Sequence, residues 1–426
     1  MTLKKNRSYR TAGRSRAGGV AGRLLVPFLA ACAITGPFSG ASAEAPSASV
    51  RRVSVQPSLY AITKSDLRDF FLHKSVPPVN AVQGDRYVAL LKNDVKITYT
   101  IDIELQQSVE RFFRASKVNY GAFVAVEPAT GRILALVSYS RNGRGEARPL
   151  ALRASFPAAS LFKLVTVSAA LQENKITPQT TVRFRGGTWS MNRSVLLDNP
   201  RRDHNHLTIE EALAKSCNHC FGKVATRWVG ARTLENYTDA YGFNAPFSFE
   251  VPVETSRATI PRDPYELART GAGFGDVYFS PLHAALLAAT IANHGRMMEP
   301  TIVEKIEDAQ GNVLYLPERR VIGNPITAEV AQEINRMMVK TVEIGTSRRS
   351  FSDFVARFPN VEVAGKTGTL RGTDPPGNYF WFAGSAPVDH PTIAVAALVI
   401  AQDRWQVKGN QVAKKALETY FSKHPR

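Results

Sequence analysis

Cysteine is scarce: Cys32, Cys217 and Cys220 are the only three in 426 residues. That is too few for a fold built on disulfides. Cys217-Asn218-His219-Cys220 has the Cys-x-x-Cys form, but no second cysteine pair exists to complete a cysteine-based zinc site. Packing or an incidental disulfide is therefore expected there ahead of redox work. Acidic residues are absent from the first 43 positions, which hold seven basic ones. Without that segment the formal charge falls from +18 to +11. No nucleic-acid-binding module and no stripe of basic and aromatic residues accompanies the excess, so it reads as a basic surface near an anionic envelope. A dinucleotide loop is missing too. Gly271-Ala272-Gly273-Phe274-Gly275 lacks the final spacing and the preceding strand. His204 and His206 form a lone His-x-His that reads as loop polarity. No metal and no cofactor is expected.

Near the N-terminus the apolar run Leu24–Ile34 is too short for a comfortable membrane span. A basic segment precedes it and Ala41-Ser42-Ala43 follows, as in a cleaved secretory signal over 1–43. Leu29-Ala30-Ala31-Cys32 offers a rival reading, with a lipid on Cys32, and the long basic segment leaves an uncleaved anchor open. Each version exports the chain, to the periplasm or the outer face of a bacterial inner membrane. Residues 44–58, rich in Ser, Ala, Pro and Val, read as a linker, and 59–97 as a short arm.

The ordinary apolar fraction of 44% supports a sizeable core in the remainder, 98–426. Thr98–Val118 looks helical. Ala122–Val126 and Arg132–Val137 flank the turn Pro128–Gly131 as a hairpin. Helices are expected over 158–172, 208–229, 281–293 and 410–422, the second opened by a capping box at Thr208–Glu211. Strands are expected over 361–369, 379–386 and 392–400. Strands at both ends with helices between predict an α+β fold, an antiparallel sheet packed with helices plus an all-helical subdomain.

Three short motifs carry chemistry. In Ser160-Leu161-Phe162-Lys163, Lys163 is the only lysine with a serine three positions before it. That spacing puts both side chains on one helical face. The apolar neighbours of Lys163 should depress its pKa and make it a base for a Ser160 nucleophile. Ser160 should also profit from free backbone N–H groups at a helix start. A Ser-x-Asn occurs three times, at Ser140, Ser190 and Ser216. The third, Ser216-Cys217-Asn218, follows a capped helix start, where a rigid helix can hold a proton-relaying hydroxyl and a carbonyl-binding amide; the other two read as loop polarity. Lys366-Thr367-Gly368-Thr369 contains the one Lys-Thr-Gly and lies on a strand. A cation and hydroxyl there can hold a carboxylate. Gly368 opens the strand edge to an extended substrate, and the Thr369 N–H is a second oxyanion donor.

Ser-x-x-K, Ser-x-Asn and Lys-Thr-Gly in this order resemble the transpeptidase domain of penicillin-binding proteins. The likeness runs from about Thr98 to the C-terminus. It includes Gly121–Ala135, similar to the family's first hairpin; Gly273–Gly275 with Ser280–Leu282, similar to its internal helix segment; and Trp381–Pro387, similar to the strand after Lys-Thr-Gly. The resemblance implies a D,D-transpeptidase that cross-links peptidoglycan stem peptides through an acyl-Ser160 intermediate. Lys163 would be the base, Ser216 the proton relay and Asn218 the donor-orienting amide. Lys366, Thr367 and Thr369 would bind the terminal carboxylate, Gly368 lying between them. β-Lactams would act as covalent inhibitors, and cell-wall synthesis proteins would be partners. Ala159 departs from the glycine often found before the serine. Residues 44–97 are too few for the family's long pedestal domain or for a glycosyltransferase. A D,D-carboxypeptidase, a serine β-lactamase and a non-catalytic β-lactam sensor or scaffold are the alternatives. The sensor needs degraded motifs or a long signalling segment, and the class A β-lactamase needs a Glu-x-x-Leu-Asn; neither is present.

Overall fold

A computed structural model describes residues 61–72, 80–142, 149–402 and 407–425. The expected leader over 1–43, Cys32 and the linker over 44–58 lie outside the described residues. Helix α1 (Lys64–Leu72) opens the described chain, followed by strands β1 (Arg86–Leu90) and β2 (Lys96–Asp102) and helix α2 (Ile103–Ala115). The helix expected to start at Thr98 thus starts later. Ile97, Thr98, Thr100 and Ile101 are β-branched and suit a strand, and Asp102 ends it by capping α2, accepting a hydrogen bond from the Leu105 N–H at 2.9 Å.

Strands β3 (Tyr120–Val126) and β4 (Ile133–Ser140) form the expected hairpin. A 3₁₀ turn (Ala159–Phe162) leads into α3 (Lys163–Gln172). Helices α4 (Ile209–Ala214), α5 (Asn218–Lys223), α6 (Pro264–Gly271) and α7 (Pro281–Ala292) follow, then strand β5 (Val303–Glu307) and helix α8 (Ala328–Glu343). The chain closes with β6 (Ala364–Thr373), β7 (Pro376–Ala386), β8 (Ile393–Ala401) and α9 (Gly409–Lys423).

The central sheet has the order β6-β7-β8-β3-β4, antiparallel throughout. Its two faces read off the period-two alternation of strands. Ala122, Val124, Trp381, Ala396 and Leu398 face one core. Phe123, Ala125, Phe380, Phe382, Ala397 and Val399 face the other. Helices α2 and α9 cover the second core, and α7 lies against the first. Every residue of α7 is buried, so its sequence is apolar all round rather than striped. The arm is not a separate body. Strands β1 and β2 share a second sheet with β5, and Lys64 of α1 donates to the Pro300 carbonyl at 2.9 Å. Strand β6 is an edge of the central sheet, and the helices carrying the other two motifs lie beside it.

Candidate active site

Two residues with positive φ shape the nucleophile turn. Ala159 takes φ +49°, a left-handed conformation that glycine adopts without penalty and alanine does not. The departure at Ala159 therefore changes the residue but keeps the glycine-like turn. Gly273 (φ +96°) backs it; a Cβ there would lie 2.1 Å from the Ala159 carbonyl oxygen and 2.9 Å from the Ser160 nitrogen. Ser160 sits inside the 3₁₀ turn rather than in the first turn of an α-helix. Residues three apart eclipse in a 3₁₀ turn, which sets Lys163 Nζ 2.7 Å from Ser160 Oγ.

Lys163 has two further partners, Asn218 Oδ1 at 2.8 Å and the Ala272 carbonyl at 2.8 Å. Both accept only. A neutral amine has two hydrogens, one for each of these oxygens, and its lone pair is then left for the Ser160 hydroxyl. The side chain is fully buried. Burial, and second the charge of Lys366, hold its pKa well below the ordinary lysine range.

The expected single helix over 208–229 is broken where the second motif lies. The capping box is present, with Thr208 and Glu211 bonded reciprocally, but α4 ends at Ala214. Ser216 turns to φ +57°, and Cys217 caps α5 by accepting the Cys220 N–H at 3.1 Å. Ser216 is thus held by a helix junction, and Asn218 opens the next helix. A disulfide joins Cys217 to Cys220. Ser216 Oγ accepts from Lys366 Nζ at 2.8 Å, which also donates to the Thr367 carbonyl at 2.9 Å. Lys366 is fully buried, and burial pushes its pKa down to about 7. Gly368 does more than open the strand edge: a Cβ there would meet Ala159 Cβ at 3.3 Å and the Ala158 oxygen at 3.5 Å. Its missing side chain lets the nucleophile turn pack against β6.

The site is therefore two hydrogen-bonded groups joined through the chain. Ser160, Lys163 and Asn218 form one half, Ser216 and Lys366 the other, with Asn218 and Ser216 two residues apart. The model of the penicillin-binding protein transpeptidase domain matches residues 121–421. The chain belongs to this family. Peptidoglycan D,D-transpeptidase PbpA of Mycobacterium tuberculosis is 30% identical over 335 residues, which is 69% of this chain and 64% of the relative. MrdA of Haemophilus influenzae, another peptidoglycan D,D-transpeptidase, is 27% identical over 380 residues, 76% of this chain and 56% of the relative. The chain thus spans less than two thirds of the length of these curated relatives. Among solved structures, a ceftriaxone acyl-enzyme complex of penicillin-binding protein A from M. tuberculosis is 29% identical with a TM-score of 0.61, covering 76% of this chain and 79% of that one. A D,D-transpeptidase domain from Eggerthella lenta, 24% identical with a TM-score of 0.66 over 77% of this chain and 83% of its own, shares the α+β fold.

Around the motifs of this family member lies a cleft of about 880 Å³. Ser160, Ser216, Asn218, Thr367, Gly368 and Thr369 line it, while Lys163 and Lys366 lie beneath. Among its described lining residues none is an aspartate or glutamate. The Ser140 triplet stays outside, as expected. The Ser190 triplet does not line the cleft either, Ser190 Oγ donating to the Gly187 carbonyl at 2.7 Å, but Thr188 and Trp189 just before it form a wall. Asn218 accepts nothing there but donates twice, its backbone N–H to the Thr188 carbonyl at 2.9 Å and its Nδ2 to the Trp189 carbonyl at 2.6 Å. Trp189 projects 70% exposed, its indole N–H held by the Lys215 carbonyl at 3.1 Å. Opposite, Thr346 bonds Thr367, hydroxyl to hydroxyl, at 2.5 Å. The glycine-rich 271–275 segment is the end of α6 at Gly271 and the turn after it, which supplies the Ala272 carbonyl and the Gly273 backing. Its three glycines were the available signal. Trp189 and Thr346 had none. No cluster of metal-ligating side chains occurs among the described residues, and none of their helices is long and apolar enough to cross a membrane.

Proposed function

We propose that this protein is a serine D,D-transpeptidase that cross-links peptidoglycan stem peptides through an acyl-Ser160 intermediate. The observation that carries the reading is buried Lys163, its Nζ 2.7 Å from Ser160 Oγ and 2.8 Å from two oxygens that can only accept; as a neutral amine it gives those oxygens its two hydrogens and keeps its lone pair for the Ser160 hydroxyl. Lys163 takes the hydroxyl proton as Ser160 Oγ attacks the carbonyl of the D-Ala–D-Ala bond. The Ser160 and Thr369 N–H groups stabilise the oxyanion. The peptide C–N bond breaks, and the proton reaches the departing D-Ala amine through Ser216. Asn218 orients the donor amide. Lys366, as a cation, holds the terminal carboxylate with Thr367 and Thr369. The amine of a second stem peptide then attacks the ester, releasing Ser160.

A β-lactam follows the same first step, and its ring-opened acyl group stays on Ser160. The cleft supports slow hydrolysis of that ester, because its described walls hold no carboxylate to activate water. This favours transfer over the β-lactamase reading. Export by the basic, apolar N-terminus, with 98–426 as the penicillin-binding domain, completes the proposal and places its work outside the cytoplasm, beside other cell-wall synthesis proteins.

Fluorescent penicillin labelling tests the core of it. The purified chain should take a stable covalent label that Ser160→Ala abolishes. An unlabelled parent chain would sink the reading, and a label lost within moments would favour a β-lactamase. Product analysis on pentapeptide muropeptides then decides between an amine and water as acceptor: dimers support the transpeptidase, whereas tetrapeptide alone supports the carboxypeptidase.

A further inference from the structure

The Cys-x-x-Cys is a sequence motif that the chemistry above leaves unused, and it overlaps the second motif. Cys217 is the residue between Ser216 and Asn218, and its disulfide partner Cys220 lies three residues on. Both cysteines are fully buried, which argues against traffic of substrates or reductants through the pair. Its position matters instead. Ser216 holds a left-handed φ of +57°, a conformation a serine enters only when its surroundings impose it. On its N-terminal side the turn is tied by the Ser216 N–H to the Leu213 carbonyl at 3.2 Å and the Cys217 N–H to the Ala212 carbonyl at 2.8 Å. On its C-terminal side the tie is the Cys217 cap and the disulfide itself. Helix α5 is anchored at its other end by buried Lys223, which donates to Asp198 at 2.8 Å, Asp203 at 3.2 Å and the Arg183 carbonyl at 2.6 Å. The disulfide closes the end that carries Asn218.

We propose that Cys217 and Cys220 are positioning residues, and that their disulfide completes the acylation site by holding Ser216 against Lys366 and Asn218 against Lys163. This rests on the proposed acyl-Ser160 function. The disulfide forms by exchange: the two thiols give up two protons and two electrons to an external protein disulfide, which leaves as a dithiol. Acylation competence is thereby tied to arrival in an oxidising compartment. In the reduced chain, residues 215–218 regain backbone freedom, and the two hydrogen bonds of 2.8 Å at the site loosen.

The test compares the parent chain with Cys217→Ser, Cys220→Ala and the double variant Cys217→Ala/Cys220→Ala. Thiols are first counted by alkylation under denaturing conditions. Freed of residues 1–43, the parent should take no label until it is reduced, and two labels afterwards; an uncleaved chain adds one label for Cys32 in both states. Acylation by a β-lactam is then resolved into KS and the acylation rate constant k2. All three variants should lose roughly tenfold to a hundredfold in k2, the scale set by misplacing reacting groups by about an ångström, with KS little changed. Cys217→Ser separates the link from the cap, since its hydroxyl still accepts the Cys220 N–H; a parental k2 there would assign the effect to the cap and overturn the proposal. Should a variant fold poorly, graded reduction of the parent replaces it, and the loss of k2 should track the appearance of thiols. Two free thiols in the parent, or variants with parental k2 and only a lower Tm, overturn the proposal. A parent chain that is never acylated sinks the function proposed above, and this inference with it.

Discussion

The two buried lysines predict an acylation profile with two limbs. Lys163 must be neutral to take the Ser160 proton, and its pKa is held well below the ordinary range by burial and by the charge of Lys366. The rising limb therefore lies on the acid side. Lys366 must be charged to hold a carboxylate, and burial has brought it to about 7. Above that pH, k2/KS for a carboxylate-bearing β-lactam should fall, about tenfold per unit at first. The fall has a floor. A hydrogen bond to a charged group is worth roughly 1.5–3 kcal/mol, so losing the charge costs about ten- to a hundredfold, and the curve levels off by about pH 9. The ratio k2/KS reports the free enzyme, so carboxylate binding does not mask the lysine pKa. Because the two lysines share one pocket, the limbs belong to the pair. A carboxylate methyl ester of the same β-lactam assigns the falling limb, since it should lack that limb. Stopped-flow labelling from pH 5 to 9.5 makes the measurement. A flat k2/KS between pH 7 and 9 with the free carboxylate would refute the argument that Lys366 is used as a cation with a depressed pKa.

Other outcomes follow from the same geometry. Lys163→Ala should slow acylation by about 10²–10⁴-fold, the usual worth of a positioned base, read as k2 at pH 7; a loss below tenfold would remove Lys163 from that role. Gly273→Ala places a methyl 2.1 Å from the Ala159 oxygen at a φ of +96°. It should displace the nucleophile turn, lowering k2 by on the order of a hundredfold together with Tm. Unchanged labelling and melting would show that the turn does not depend on this contact. Trp189→Ala should raise KM for stem-peptide substrates by roughly tenfold, about 1–2 kcal/mol of lost apolar contact. Its k2 with a small β-lactam should stay parental, and equal losses on both substrates would contradict a role in peptide binding.

The chemistry of the site was legible because it depends on residue types at short spacings. Ser160 and Lys163 lie three residues apart, and Lys366 to Thr369 are contiguous, so local geometry alone brings each set together. The strands of the central sheet and the apolar α7 were legible for the same reason, since apolar runs of strand or helix length are local properties. Boundaries were less so. Thr98–Asp102 reads as the start of a helix, and its pairing with β5 makes it a strand; the junction at Ser216 breaks a helix that local propensity would continue. Tertiary structure alone decided the rest. It brought the Ala272 carbonyl to Lys163 and Gly273 behind the serine, and made Gly368 a seat for the nucleophile turn. It also raised the Trp189 loop as a wall and put two lysines in one buried pocket, where the cost of desolvating charge lowers both. These contacts join residues as distant in sequence as Ala159 and Gly368, and no local pattern encodes a distance of that kind.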